Sequence, residues 1–157
     1  VAASSLAGGR LAGDLKDTPV AYSVINREFI EALNLTNLAD AAGWSPNTVL
    51  SINPDGSGIG ADYSFSQGSF NVRGAGGGRQ RNFFSYNAPM DSYSVERYDF
   101  GRGPNAILFG NGGLGGVSST MTKQARFDST FATIQATIGS WNSLRTHSCS
   151  SGLVVIW

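Results

Sequence analysis

The stretch Glu96–Gly116, ERYDFGRGPNAILFGNGGLGG, constrains this chain more than any other. Seven of the sixteen residues 101–116 are glycine, and GNGGLG from Gly110 to Gly115 fits the G-x-G-x-x-G spacing of dinucleotide-binding loops. Such a loop follows a strand and opens a helix, whose N-terminus receives the pyrophosphate. Here the order is reversed. PNAILF, before the glycines, predicts a short helical segment, with Pro104 suited to the first helical position and Gly110 to the exit. GGVSSTMTK, after them, predicts a strand over 115–123. No helix N-terminus is offered to a phosphate, and no Gly-Lys-Ser/Thr completes a Walker loop, so both nucleotide readings fail. Gly110, Gly115 and Gly116 are therefore expected to be structural, admitting positive φ and close backbone approach in a strand–helix–turn–strand unit.

Charge excludes further classes. Eleven basic residues balance eleven acidic ones, so the electrostatic footprint of a nucleic-acid binder is missing and no nucleic-acid partner is expected. Charged residues are 14% of the chain, against about 25% in ordinary soluble domains. Polar, uncharged, glycine-rich chains of this kind are associated with exported β-rich proteins. The single cysteine, Cys149, allows no internal disulfide, and with the single histidine, His147, it makes no metal or catalytic set. The turn Asn53–Gly56 has too few acidic neighbours for a calcium loop. No enzyme activity, cofactor or metal is expected. The chain opens on Val1 rather than Met, so its natural start is expected to lie upstream.

Along the chain, residues 1–14 suggest a linker, and TPVAYSVI (18–25) a short strand. Asn26 can cap a helix over REFIEAL, whose Phe29, Ile30 and Leu33 share a face. Thr36 is expected to cap a second short helix, NLADAA, ended by Gly43. Residues 45–68 are expected to be loop. SFNVRG (69–74) predicts a strand ending in Arg-Gly, GAGGGRQ a flexible bend, RNFFSYNAPMDSYS (81–94) an aromatic, partly extended run, and VERYDFGRG (95–103) a strand. From Phe131, Ala132, Ile134, Ala136 and Ile138 alternate with Thr133, Gln135 and Thr137, which gives a strand with one apolar face and one neutral polar face.

Arg73-Gly74 and Arg102-Gly103 each set an arginine beside a glycine at a strand end. In a chain this poor in charge, such arginines suit carboxylates on a partner surface, where the planar fork pairs in bidentate fashion. At these residues the sequence resembles a known family. SFNVRG, followed by SVERYDFGRGPNAILFGNGGLGGVSSTMTK, resembles the plug domain of TonB-dependent outer-membrane receptors, and LKDTPVAYSVINREFIEALNLTNLADAAGWSPN resembles the plug's opening strand and paired helices. The likeness runs over residues 15–124, and ATIQATIGSWNSLRT resembles the first barrel strand and the start of the next.

The resemblance implies an α+β fold: a small mixed sheet of four strands with short flanking helices, followed by one or two orphan barrel strands. Such a plug fills the lumen of a 22-stranded barrel in the cell outer membrane and acts as a gate for scarce nutrients of the siderophore, cobalamin or glycan class. The partners implied are the receptor's own β-barrel, a TonB-type energising protein and a small-molecule cargo. Arg73, Gly74, Arg102, Gly103 and Pro104 are implied plug–barrel contacts. Gly76, Gly77, Arg79, Phe83, Phe84 and Tyr86 are implied substrate-facing loop residues near the extracellular apex. The alternative is a free-standing ligand- or protein-binding module of the same fold. Expected boundaries are a linker at 1–14, the plug at 15–124, barrel start at 125–146 and an aberrant or frameshifted tail at 147–157. No TonB box is recognisable before residue 15. A barrel of 22 strands needs roughly 220 residues before loops, so the chain is expected to be a partial receptor unable to transport by itself.

Overall fold

The computed structural model describes residues 21–51, 69–86, 88, 90–103, 113–124 and 130–151. They divide into two compact units, one ending at Thr122 and one beginning at Lys123. The expected linker at 1–14, most of the loop at 45–68, the helical turn at 104–109, and Pro104 and Gly110 lie outside the described residues.

The first unit opens with strand β1 (Ala21–Asn26), helix α1 (Arg27–Ala32) and helix α2 (Leu38–Ala42). Strands β2 (Thr48–Ser51), β3 (Ser69–Val72), β4 (Ala75–Arg81) and β5 (Phe84–Ser85) follow, then a 3-10 turn at Ser92–Ser94. Strands β6 (Val95–Arg102) and β7 (Gly116–Thr122) complete it. The sheet is mixed and has seven strands rather than four, in the order β1-β6-β7-β4-β3-β2 with β5 paired to β4. The β4–β7 pair is parallel; the other ladders are antiparallel.

Both helices start where an asparagine side chain accepts a free backbone N–H. Asn26 accepts from Phe29 N at 3.0 Å. The second cap is Asn37, not Thr36: its Oδ1 accepts from Asp40 N at 2.9 Å. Thr36 instead donates its backbone N–H and hydroxyl to Asp40 Oδ2, at 3.0 and 2.8 Å. The aspartate thus reaches back over the start of the helix and completes a reciprocal cap. Gly43 ends α2 as expected, with ordinary right-handed angles.

Alternation along the strands sorts the sheet into two faces. Ile25, Val72, Val95, Tyr98 and Phe100 pack with Ile30, Leu38, Ala41 and Ala42 of the helices into one core, flanked by Leu35 and Met90. The buried Tyr98 hydroxyl is matched to Ser92 Oγ at 2.8 Å. Arg97 and Asp99 point to the opposite face.

Residues 74–80, expected as a bend, lie in strand β4 apart from Gly74 itself. Glycine is a poor strand former in isolation. Here β3, β5 and β7 all pair with β4 and supply the ladder that propensity lacks. The turn is the Arg73-Gly74 pair, with φ of 54° and 78°, the left-handed values a two-residue type I′ hairpin requires. Asn82-Phe83, at φ of 48° and 70°, turns the chain from β4 to β5 in the same way.

The second unit is a hairpin of β8 (Phe131–Ile138) and β9 (Leu144–Ser151). Its turn, Ser140–Ser143, also has two central residues at positive φ, Trp141 and Asn142. β9 continues past Thr146, so His147 and Cys149 are ladder residues opposite Gln135 and Thr133. Among the described residues no helix is long and apolar enough to cross a membrane, which says nothing about strands.

Candidate functional site

Two arginine–glycine pairs converge at one end of the sheet. Arg102 closes β6 opposite Gly116, which pairs in turn with Gly77 of β4. Arg73 sits in the turn between β3 and β4. The Pro46-Asn47 turn touches both: Arg102 Nη1 donates to Pro46 O at 3.3 Å, and Arg73 N donates to Asn47 O at 2.9 Å. Arg102 Nε is buried and has no hydrogen-bond partner, whereas the Arg73 side chain is exposed. A buried guanidinium N–H without an acceptor is costly and well placed to take a carboxylate.

Behind these arginines the glycines form a layer of bare backbone. Gly115 N donates to Gly76 O at 3.0 Å and Gly103 N to Gly115 O at 2.9 Å. A Cβ on Gly113 would stand 2.2 Å from Gly76 O, and one on Gly115 2.3 Å from Ala75 O. Gly116 adds a φ of 141°, and β7 starts at that residue, so a strand and no helix follows the run. Gly113, Gly115 and Gly116 thus sit where the backbones approach too closely for a side chain.

The expected substrate-facing residues do not gather on one surface. Gly76 and Gly77 belong to β4 beside Arg73 and Arg102, not to a loop. Phe83 and Phe84 lie at the far end of that strand, roughly 20 Å away at the usual rise per residue. There Asn82 Nδ2 donates to Thr122 Oγ1 at 2.9 Å, and Thr122 N donates to Asn82 Oδ1 at 3.1 Å. Arg79 lies between the two ends, beside a small cavity lined by Leu38, Tyr86, Ala88, Met90 and Thr120, where burial pulls its guanidinium below the usual arginine range. Arg81 stacks over the Tyr86 ring with Cζ 5.4 Å from the centroid.

A charged pair lies outside the residues that the sequence singles out. Asp99 is fully buried and accepts from Arg97 Nε at 3.0 Å to both carboxylate oxygens. The signal was present as two opposite charges at i and i+2, hence on one face of a predicted strand. Among the described residues no three His, Cys, Asp or Glu side chains cluster as metal ligands.

Comparison with known proteins matches this architecture to a class of outer-membrane receptors. The TonB-dependent Receptor Plug Domain family matches residues 14–117, more than half of the chain. No curated protein matches the chain in sequence. Among solved structures, the ferripyoverdine receptor of the Pseudomonas aeruginosa outer membrane aligns with a TM-score of 0.78 and 19% identity, covering 97% of this chain and 20% of that one. The ferric preacinetobactin receptor of Acinetobacter baumannii aligns at 0.76 and 20% identity, covering 97% and 23%. The alcaligin outer-membrane receptor of Bordetella pertussis aligns at 0.75 and 21% identity, covering 94% and 26%. The chain therefore belongs to the TonB-dependent receptor plug-domain family. It spans only about a fifth to a quarter of the length of these receptors.

Proposed function

We propose that this chain is the gate of a TonB-dependent outer-membrane transporter, seated in the lumen of its own β-barrel and released by a TonB-type partner after cargo binds. The cargo class favoured is an iron–siderophore chelate, since the solved relatives are receptors for ferripyoverdine, ferric preacinetobactin and alcaligin. Cobalamin and glycan cargoes are the other classes. The observation that carries the gate reading is the buried Arg102 Nε without an acceptor, at the end of the sheet where Arg73 is exposed. Both arginines are suited to carboxylates on a surrounding wall. Breaking one buried pair of that kind costs about 3–5 kcal/mol, because the other charge is stranded.

The hairpin suits the start of that wall. Ile134, Ile138 and Leu144 share its apolar face and are strongly exposed, while Thr133, Gln135, Thr137 and Arg145 lie on the other face. Apolar-out and polar-in alternation is what a membrane barrel strand requires.

The test is made in an intact receptor of this family. Replacing the arginine at the position of Arg102 by alanine should loosen the plug, seen as added single-channel conductance and faster protease cleavage of the plug. Unchanged conductance together with unchanged cleavage would remove the proposed lock. An intact receptor that carries this plug should also bind ferric siderophore, and siderophore-independent binding of cobalamin or glycan would reassign the cargo.

A further inference from the structure

The core-forming side of the sheet carries two arginines that neither the core nor the Arg73–Arg102 end uses. Arg79 pairs in register with Ser118 and Arg81 with Thr120, and across β7 those two residues pair with the core residues Phe100 and Tyr98. Arg79 and Arg81 therefore stand on one face, about 7 Å apart along β4. An aromatic row runs beside them. Phe84 lies opposite Arg81, and Tyr86 N donates to Arg79 O at 3.1 Å, which brings Tyr86 alongside Arg79. Arg81 is stacked on the Tyr86 ring, its Cζ 5.4 Å from the centroid, as a cation over an aromatic face. Arg79 and Tyr86 border a small cavity whose remaining lining is Leu38, Ala88, Met90 and Thr120.

The cluster has no counter-charge of its own. Among the described residues the ion pairs are Arg27–Glu31 and Arg97–Asp99, and neither Arg79 nor Arg81 has a carboxylate partner. The acids next to Leu38 and Met90 are engaged elsewhere. Asp40 accepts from the backbone N–H and hydroxyl of Thr36, and Asp91 accepts from Tyr93 N at 2.7 Å. Both arginines are half-buried, and desolvation lowers the Arg79 guanidinium from its usual range. Ser118, beside Arg79 on the same face, is buried with its Oγ unpartnered, although buried polar atoms in native sheets are matched as a rule. Cations and hydroxyl together offer donors that no described acceptor takes up.

We propose that Arg79, Arg81 and Tyr86 form a carboxylate-binding site on the core-forming side of β4. The cavity has room for about one water-sized group, so it takes the head of a ligand and not a whole cargo molecule. A carboxylate fits better than phosphate or sulfate. The side chains of Leu38, Ala88 and Met90 donate no hydrogen bond, and a tetrahedral anion would leave oxygens unsatisfied against them. A carboxylate presents two oxygens in one plane, which a guanidinium fork matches. The stack on Tyr86 holds Arg81 in place before any ligand arrives, which lowers the ordering cost of binding. The carboxylate comes either from a small molecule or from an acidic side chain of a protein packed against this face. The site stands whether or not the chain works as a gate.

The test is an NMR titration of the 157-residue chain in uncharged detergent micelles, with sodium acetate against sodium chloride at equal ionic strength. The readout is the Nε–Hε group of each arginine. Arg79 and Arg81 should shift and saturate with acetate, while Arg27 and Arg97, already paired, stay in place. Arg79→Gln should weaken acetate binding roughly tenfold, the usual size of one charge-assisted contact. Arg81→Lys keeps the charge but loses the planar fork and should weaken binding about threefold or more. A merely electrostatic patch would not register that exchange. Sulfate should bind roughly tenfold more weakly than acetate. A short peptide of glutamate and glycine separates the two sources. Tighter binding than acetate assigns the site to a protein side chain, and equal or weaker binding assigns it to a small molecule; both uphold a carboxylate site. Shifts that grow without saturating, or that spread evenly over all arginines, overturn it, and so does sulfate binding as tightly as acetate. If Arg79→Gln does not fold, Arg81→Lys and the titration of the unaltered chain decide.

Discussion

Asp99 stores part of the stability of the first unit in one proton. Its carboxyl is raised from 3.8 to about 6, chiefly by burial, so the native state binds a proton more tightly than the unfolded chain does. The stability contributed is fully present below pH 4, declines as pH rises through about 6 and is absent at neutral pH. A shift of this size corresponds to about 3 kcal/mol. The first unit should therefore melt at higher temperature at pH 4 than at pH 7, with carboxylates elsewhere superimposing their own acid titration. Asp99→Asn should remove the decline between pH 4 and pH 6. The glycines of the same region separate by mechanism. Gly115→Ala would drive a Cβ to 2.3 Å from Ala75 O and 2.8 Å from Val72 O, so backbone must shift. Gly74→Ala meets nothing within 4 Å and suffers only its φ of 78°. The second should cost about 1–2 kcal/mol, the usual penalty for a left-handed L-residue. Gly115→Ala should cost more, and denaturant titration of the two variants gives the ranking. The need for glycine at Gly74 and Gly115 was legible in the sequence, since a run that dense signals unusual φ or close approach. The state of Asp99 was not, because burial depends on which strands cover it.

Elements built on local signals were the legible ones. The cap at Asn26 and the end of α2 at Gly43 follow from side chains acting within a turn of the helix. The alternation over Phe131–Ile138 fixed a strand because period 2 is a purely local pattern. Elements that depend on distant partners are not legible locally. β4 has three glycines within seven residues and no strand propensity, yet it pairs with three strands. β2 reads as loop in the sequence because its partner β3 begins eighteen residues after Ser51. Thr36 and Asn37 are both competent caps in sequence, and geometry distinguished them: Asn37 receives the helical N–H while Thr36 donates to Asp40. Asn37→Ala should thus cost about 1 kcal/mol, and Thr36→Ala less, because its backbone N–H keeps its bond to Asp40. Chemical denaturation of the two single variants measures the difference. In the hairpin, Asn142→Gly relieves an L-residue held at a φ of 55° and should stabilise the β8–β9 turn. Cross-strand nuclear Overhauser contacts between Ile138 and Leu144 would strengthen accordingly.

At the scale of the whole molecule, the two units obey different solvation rules. The first buries its apolar side chains in a core of its own, from Ile25 to Phe100, and pairs Arg27 with Glu31 and Arg97 with Asp99. Among its described residues the second has two strands and no buried side chain. Its Ile134, Ile138 and Leu144 are 82%, 83% and 69% exposed, and Trp141 at the turn is 98% exposed. A lone two-stranded ribbon is marginal in water, and its unpaired outer edges invite further strands. Sequence periodicity supplied that contrast directly, since an amphipathic strand without charge on either face suits neither a soluble surface nor a closed core. The two units should accordingly separate in their need for detergent. A chain ending at Thr122 should remain monomeric in detergent-free buffer. The chain extended through Ser151 should self-associate in the same buffer and become monodisperse in detergent micelles. Replacing Ile134, Ile138 and Leu144 by threonine should restore the monomer without detergent, because it removes the large apolar side chains of that face and places strand-forming branched side chains there. Sedimentation velocity of the three chains checks this. A fully monomeric extended chain in plain buffer would separate the hairpin from any membrane role, while the fold of the first unit would stand.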